Sequence, residues 1–393
     1  MAMPNYATMF DPQVVLNDPA FKLLPRHHVP KRDVNVNLSC AYGPVDDQHG
    51  PQLNLIEKPK MKPQHGQVVV HVRATGICGS DVHFWKHGRI GDTMVVRCTC
   101  GAGHESAGQV IELGPGVDNL KVGDRVAIEA GVPCGSCEFC KKGKYNACPD
   151  VVFFSTPPYH GTLTRYHVHP AAWLHKLPDS ISFEEGSLLE PLAVALAGIE
   201  RAQLKLGDPT LICGAGPIGL VSLLAAKAAG ATPIVITDIA QSRLDFASKL
   251  VSGVQTVLVE RGNSPKDVAN KIKQVSGQDL GMTVSLECTG VESSVQTAIF
   301  SAKFGTTVFV IGVGNDRMTL PFMHMSANEI DLKLQYRYAN QYPKAIRLVQ
   351  GGLIDLKPLV THRFALENAI EAFETAADIN SGSIKCQILD DAL

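Results

Sequence analysis

The chain has 393 residues, 45% of them hydrophobic and 19% charged, with a formal net charge of -2. That balance suits a soluble chain of two or three domains with substantial cores and excludes one dominated by disorder. Near-neutral charge gives no global reason to expect nucleic acid or an anionic membrane as partner, so small neutral or mildly polar ligands fit better.

Met1 to Pro25 holds one basic residue, Lys22, and lacks the segments of a secretory signal or an Arg-rich transit peptide. No apolar run reaches the roughly 18 to 20 residues that span a bilayer. The 11 cysteines, odd in number and clustered, favour reduced thiols and metal ligation over a disulfide framework, which makes a cytoplasmic location the expectation. Residues 1-50 mix Pro, Asn, Asp and His without periodicity and read as a poorly ordered N-terminal arm.

From Gln67 to Arg73 the composition is that of a strand, which stops at Thr75-Gly76 just before Cys78. A second β-rich passage covers Gln109 to Leu113 and Lys121 to Glu129, punctuated by Gly114-Pro115-Gly116 and Gly123-Asp124. These short strands and turns predict a mostly β, barrel-like domain over residues 51-190. Within it Gly103-His104-Glu105-Ser106-Ala107-Gly108, taken with Cys78 upstream and Glu190 downstream, offers imidazole, thiolate and carboxylate, the usual protein ligands of Zn2+. A lone histidine is more often a hydrogen-bonded structural residue, so the set carries the reading and His104 alone does not. Cys134, Cys137, Cys140 and Cys148 follow with the spacing C-x2-C-x2-C-x7-C. Four thiolates in the lobe 134-148 match a closed structural zinc site, an iron-sulfur cluster being the alternative that also uses four.

Past Pro178 the pattern changes, and Leu188 to Ala202 has helical apolar spacing. Strands are predicted at Pro209 to Cys213, Thr232 to Thr237, Val254 to Val259, Met282 to Glu287, Thr306 to Ile311 and Ile330 to Gln335. Helices alternate with them near Leu220 to Ala229, Gln241 to Leu250, Ser264 to Val275 and Ser293 to Lys303. Such alternation predicts a doubly wound parallel sheet over residues 191-335. Residues 336-393, with helices at Tyr342 to Gln350 and Leu366 to Ala377 and a strand at Lys385 to Leu389, are expected to return to the first domain. Gly214-Ala215-Gly216-Pro217-Ile218-Gly219 lies between the first strand and its helix, where glycines let the backbone approach a pyrophosphate and the helix N-terminus favours its charge. Asp238 ends the next strand, can accept from ribose hydroxyls and repels a 2′-phosphate, so the expected cofactor is NAD. Arg243 is near enough to flank the adenosine, its alternative being a solvated helix residue paired with an acid. Cys213 and Cys288 read as small buried hydrophobes.

Gly-Ile-Cys78-Gly-Ser-Asp, Gly-His104-Glu105-x2-Gly, the four-cysteine lobe, Glu190-Pro-Leu-Ala and the glycine-rich turn together resemble the zinc-dependent medium-chain alcohol and polyol dehydrogenases, over nearly all of the chain after about residue 50. Glu190 stands where alcohol dehydrogenases of that family carry a cysteine, which makes the chain similar to polyol dehydrogenases of the sorbitol dehydrogenase type. Val-Phe-Val-Ile311-Gly-Val-Gly, Gln335-Tyr-Arg-Tyr338 and Leu359-Val-Thr-His-Arg-Phe364 resemble the fungal L-arabinitol 4-dehydrogenase branch. The resemblance implies an α/β chain made of a GroES-like catalytic domain and a Rossmann domain, with NAD, two Zn2+ per chain, one catalytic and one structural, and a homotetrameric assembly. It also implies that Cys78, His104 and Glu105 hold the catalytic zinc, with Glu190 bound directly or through a water, and that Cys134, Cys137, Cys140 and Cys148 hold the structural one. Ser80 and His83 stand where the family's proton relay begins, and Glu190 is the other group able to take the proton. Phe84, Phe154, Arg337 and Tyr338 would border the polyol, with Phe153 beside them and a core role the alternative for both phenylalanines. Ile311, Gln335, Tyr336 and Arg337 would approach the cofactor. The implied reaction is oxidation of a polyol secondary alcohol to a ketose, L-arabinitol to L-xylulose, with xylitol and D-sorbitol as rival substrates. A non-catalytic zinc- and NAD-binding redox sensor using Cys98 and Cys100 is the rival class, since those thiols and Ala102 depart from the family pattern.

Overall fold

The computed structural model describes residues 22–24, 33–43 and 52–390. The chain divides into two compact units, Met1–Glu190 with Val360–Leu393, and Pro191–Leu359. Among the described residues no helix is long and apolar enough to cross a membrane.

In the first unit the organising strand is Gln67–Gly76, buried at all but one position. It pairs antiparallel with Glu105–Leu113, Tyr166–Pro170 and Lys385–Leu389. The sheet's main path runs Leu174–Lys176, Arg125–Ile128, Glu105–Leu113, Gln67–Gly76, Lys385–Leu389, Val360–Ala365, with Tyr166–Pro170 off this path on Gln67–Gly76, so strands from far apart in the chain share one sheet. Val68, Val70, Val72, Val110, Val126, Ile128 and Leu174 form one core on it. Each such side chain contributes about 1.5–3 kcal/mol when fully buried.

A second sheet corrects the expectation for residues 1-50. Asn37–Tyr42, placed in a poorly ordered arm from its polar sequence, is a strand buried at every position and paired with Leu53–Lys58 and Cys100–Gly101. Leu38, Cys40 and Tyr42 alternate into a core with Phe84 and Phe373, while Ser39 on the other face donates from its hydroxyl to Leu163 O at 2.9 Å. The polar residues that made the stretch look like a lead-in are buried because they find such partners. The remainder of the arm lies outside the described residues, apart from the short strand Lys22–Leu23.

The second unit is a six-stranded parallel sheet in the order Gln255–Leu258, Ile234–Asp238, Thr210–Cys213, Met282–Glu287, Ala302–Val310, Asp331–Leu334. Its first strand in sequence lies inside the sheet. The strand order reverses between it and Met282–Glu287, the switch point at which this architecture opens a ligand crevice. Helices Pro217–Ala228, Gln241–Leu250, Pro265–Ser276 and Glu292–Ser301 make the crossovers. Local sequence explains their limits. Pro265–Ser276, for example, starts at a Ser264/Asp267 capping box, buries Val268, Ala269 and Ile272, and stops at left-handed Gly277. This unit continues past the boundary expected at residue 335, because Tyr342–Gln350 buries Tyr342, Ala345 and Val349 and sets the Tyr342 ring at a tilt against that of Tyr338.

Candidate active site

Cys78 caps the N-terminus of the helix Gly79–His87, just beyond the strand Gln67–Gly76. His104 precedes, and Glu105 opens, the strand Glu105–Leu113, whose register sets Glu105 opposite Gly76. Pairing of the two strands therefore brings one ligand atom each from Cys78, His104 and Glu105 to within 4.8 Å of one another. Thiolate, imidazole and carboxylate at that spacing fit Zn2+ with a coordination position left over. Glu190, 5% exposed in the first turn of Leu189–Ala202, does not join that set.

Glu105 is also held from behind. Lys385 Nζ donates to its Oε1 at 2.8 Å and Oε2 at 2.7 Å, and to Ile77 O at 3.1 Å. A Cβ on residue 76 would stand 2.2 Å from Glu105 Oε2, so glycine is what leaves room for the carboxylate. Burial alone would lower the Lys385 pKa, but the charge of Glu105, with Cys78 and Glu190 behind it, holds it above the usual lysine value. Lys385 was not legible as a site residue. Its only signal is a charge within the otherwise strand-like Ile384-Lys385-Cys386-Gln387-Ile388.

Asp81 braces the other two donors. One oxygen accepts from Tyr42 Oη at 2.7 Å and Gly103 N at 3.2 Å, and the second accepts from Cys78 N at 3.0 Å. Burial opposes its ionisation, but the charge and ring N–H of His104, the Tyr42 hydroxyl and the Cys78 N–H hold its carboxyl below the usual range. The helix that carries Cys78, Asp81, Ser80 and His83 was not predicted, since Gly-Ser-Asp-Val-His has no apolar period.

Of the other expected residues here, Ser80 is half-buried and His83 exposed, its ring 4.5 Å from that of His87. Partial burial, and then the His87 charge, put His83 below its ordinary pKa. Phe84 is packed in the core against Tyr42. Phe154 packs on His167 and His169, whereas Phe153 faces His104 with ring centroids 5.7 Å apart. Of the two, Phe153 is therefore the one whose ring lies against His104. Cys100 is buried with its thiol toward Tyr159 O at 3.1 Å, and neither it nor Cys98 joins a metal-ligand group among the described residues.

Cys134, Cys137, Cys140 and Cys148 form the other such group, all as free thiols. Sγ of Cys140 lies 3.4 Å from that of Cys137 and 4.0 Å from that of Cys134, spacings compatible with thiolates around one ion. Backbone N–H groups already point at the sulfurs, Cys137 N to Cys134 Sγ at 3.3 Å and Cys134 N to Cys148 Sγ at 3.4 Å. The Ser136 N–H, against burial and with help from Cys137 N–H, brings Cys134 down to about 6. All four positions are occupied by sulfur, so the group has the donor set of a closed site.

In the second unit the glycine-rich turn joins Thr210–Cys213 to Pro217–Ala228. A Cβ on residue 219 would lie 1.8 Å from Gly214 O, so helix and turn approach each other only because glycine is there. Gly216 is the N-cap and Pro217 and Ile218 form the first turn, leaving that helix N-terminus without a side-chain cap. Asp238 accepts from Ala215 N at 2.7 Å on one oxygen and from Ala240 N at 2.9 Å on the other. It thus clamps the turn as well as ending its strand, a role the sequence did not reveal. Ile239 beside it is exposed and Arg243 half-buried.

Ile311 packs against Gly198, and Gln335 Nε2 donates to Val194 O at 2.8 Å. Tyr336 is 50% exposed with the Arg337 guanidinium 4.7 Å over its ring, whereas Tyr338 is buried against Tyr342. Sequence reasoning also missed Glu287, fully buried at the end of Met282–Glu287. It accepts from Thr289 N at 2.8 Å, Gly290 N at 2.9 Å and Ser294 Oγ at 2.8 Å, which fixes the loop across from Gly214. Cys213 is buried and Cys288 partly so, and burial, reinforced by the Glu287 charge, pushes both thiols up, which leaves them inert.

A mostly β unit that gathers metal-ligand side chains and a parallel-sheet unit with a glycine-rich turn define a class. Residues 64–179 match the alcohol dehydrogenase GroES-like domain and residues 217–351 the zinc-binding dehydrogenase domain, and the chain belongs to the family of zinc-binding dehydrogenases. It is 58% identical to an L-arabinitol 4-dehydrogenase of Penicillium rubens, over 82% of this chain and 86% of that one. It is 46% identical to a sorbitol dehydrogenase of Bos taurus, over 84% and 91%. Among solved structures, an Escherichia coli oxidoreductase/dehydrogenase of unknown specificity involved in membrane biogenesis has a TM-score of 0.81 at 34% identity, covering 90% of this chain and 99% of its own.

Proposed function

We propose that this chain is an NAD-dependent zinc polyol dehydrogenase that oxidises L-arabinitol to L-xylulose. One observation carries the reading: the Cys78, His104 and Glu105 donors converge in a chain whose L-arabinitol 4-dehydrogenase relatives are 55% to 58% identical to it. We assign two Zn2+ per chain, one at that set and one in the four-cysteine lobe. When bound, the catalytic Zn2+ polarises the alcohol as a Lewis acid and NAD accepts the hydride.

The protein's own residues supply the rest. Cys78, His104 and Glu105 hold the metal, with Lys385 fixing Glu105 and Asp81 fixing Cys78 and His104 in place. Ser80 and His83 lead the hydroxyl proton toward solvent, and the lowered pKa of His83 keeps its ring neutral and able to accept it. Glu190, buried and outside the mutual set, is assigned to hold a water or take the proton. Gly214 to Gly219 and the uncapped helix N-terminus suit a pyrophosphate, and the carboxylate of Asp238 retains lone pairs for ribose hydroxyls. By resemblance to the family, Arg243, Ile311, Gln335, Tyr336 and Arg337 are assigned to the cofactor, and Phe84, Phe154, Arg337 and Tyr338 to the polyol. The position of Phe153 against His104 supports adding it. A cytoplasmic homotetramer is part of the same proposal, the location supported by cysteines that are all free thiols.

The test is initial-rate kinetics by NADH absorbance on L-arabinitol, xylitol, D-sorbitol and ribitol, each with NAD and NADP. L-Arabinitol with NAD is expected to give the highest kcat/KM, and a chelator to abolish turnover. Absence of NADH with every polyol refutes the activity, and a higher kcat/KM for D-sorbitol refutes the substrate.

A further inference from the structure

We propose that Ser155 is a positioning residue for His104: its hydroxyl accepts the Nδ1–H, fixes the ring tautomer and leaves Nε2 as the metal ligand. The proposal rests on the reading of His104 as a ligand.

The starting observation is a backbone outlier. Ser155 has φ 74, in the left-handed region, although it carries a Cβ and is 2% exposed. Glycine would adopt that conformation without strain, and strained non-glycine residues persist where the surroundings impose them, often at functional sites. What serine brings and glycine lacks is the hydroxyl, and Ser155 Oγ lies 2.8 Å from His104 Nδ1.

The competing acceptor is less well placed. Asp81 Oδ1 is 3.5 Å from the same nitrogen and already accepts from Tyr42 Oη and Gly103 N. The two neighbours therefore divide the work: Asp81 supplies negative charge and Ser155 the short hydrogen bond. A ligating histidine whose other ring nitrogen is held in this way keeps both its tautomer and its ring orientation.

The position of Ser155 comes from the four-cysteine lobe. Gly131–Val132 pairs antiparallel with Val152–Phe153, closing a hairpin whose loop contains Cys134, Cys137, Cys140 and Cys148. Beyond the pair, Phe154 N donates to Ala130 O at 3.0 Å and Thr156 N to Phe153 O at 3.0 Å, so Ser155 is tied on both sides. The same short segment supplies Phe153 to the His104 ring. The root of the lobe thus delivers two groups to one metal ligand.

The experiment compares Ser155→Ala and Ser155→Gly with the parent, all loaded with zinc. Chelator competition measures release of each zinc, the lobe zinc serving as internal control. 15N NMR of the zinc-loaded samples reads the His104 Nδ1–H. In both variants the catalytic zinc is expected to bind roughly 10-fold more weakly or worse, the usual scale for removing a partner of a ligating histidine. The lobe zinc should stay, and the His104 Nδ1–H signal should move to that of a weaker hydrogen bond. Ser155→Gly decides the matter, because it relieves the backbone while deleting the hydroxyl. Parent-like zinc retention or an unchanged His104 Nδ1–H signal in that variant overturns the proposal, even if Ser155→Ala folds poorly. Failure of the underlying reading looks different: His104→Ala would then leave the zinc count of the otherwise wild-type chain unchanged.

Discussion

Replacing Lys385 by methionine should expose how the carboxylate of Glu105 is held inside the protein. Lys385 Nζ reaches both Glu105 oxygens within 2.8 Å, and the two side chains are 3% and 1% exposed. Methionine fills a similar volume but leaves the carboxylate buried without its cation, a change that costs about 3–5 kcal/mol. For a domain of this size each kcal/mol moves the melting temperature by roughly 2–4 °C, so the first unit of the zinc-free variant should melt about 6–20 °C lower. Adding Glu105→Gln to Lys385→Met removes the stranded charge and should recover most of the loss, because deleting both members of a buried pair is often close to neutral. Zinc loading should narrow the gap between Lys385→Met and the parent, since the metal offers the same carboxylate another cation. The assay is thermal and urea unfolding of the parent, the single and the double variant, each before and after zinc loading. If the zinc-free single variant lies within about 1 kcal/mol of the parent, the range of an exposed pair, the reasoning fails. It fails equally if the double variant is less stable than the single.

Cys78→Ser or His104→Ala should remove turnover and lower the zinc content from about two per chain to about one, since the two sites share no ligand. Loss of both metals together would break the two-site assignment. The double change Asp238→Ser with Ile239→Arg should shift the NAD/NADP ratio of kcat/KM by roughly a hundredfold or more, with charge-assisted hydrogen bonds worth about 1.5–3 kcal/mol and each 1.4 kcal/mol about tenfold. Because Asp238 also clamps Ala215 and Ala240, activity with both cofactors should fall as well; a ratio within about threefold of the parent's counts against the assignment. Asp390→Asn should destabilise the protein at pH 7 and flatten its acid sensitivity. Burial would raise the Asp390 pKa, but hydrogen bonds from His71 and Arg165, and then their charges, hold it below the ordinary value. Its contribution is therefore complete above the unfolded carboxyl value of about 3.9 and is lost as pH falls through the lower folded one. Parallel loss of stability in parent and variant on acidification would show that Asp390 is not the sensor.

Several features were legible because their chemistry is local. Four cysteines within one loop, glycines between a strand and a helix, and Asp238 at the next strand's end each place their groups by spacing along the chain. The six strands of the nucleotide unit were likewise readable, since a parallel sheet covered on both faces consists of apolar runs separated by helices. Cys78 and His104-Glu105 were recognisable as donors by residue type, but what brings them together is the pairing of Gln67–Gly76 with Glu105–Leu113. Other parts of the site were settled by tertiary structure alone. Lys385 meets Glu105 across 280 residues, Ser155 meets His104 across 51, and Asn37–Tyr42 is a core strand only because Leu53–Lys58 and Cys100–Gly101 flank it. A polar group inside a protein must find a partner, and the need can be read in the residue. Which partner meets it depends on strand register, where a shift of one residue turns a side chain to the opposite face, and register is fixed by contacts between segments far apart in the chain.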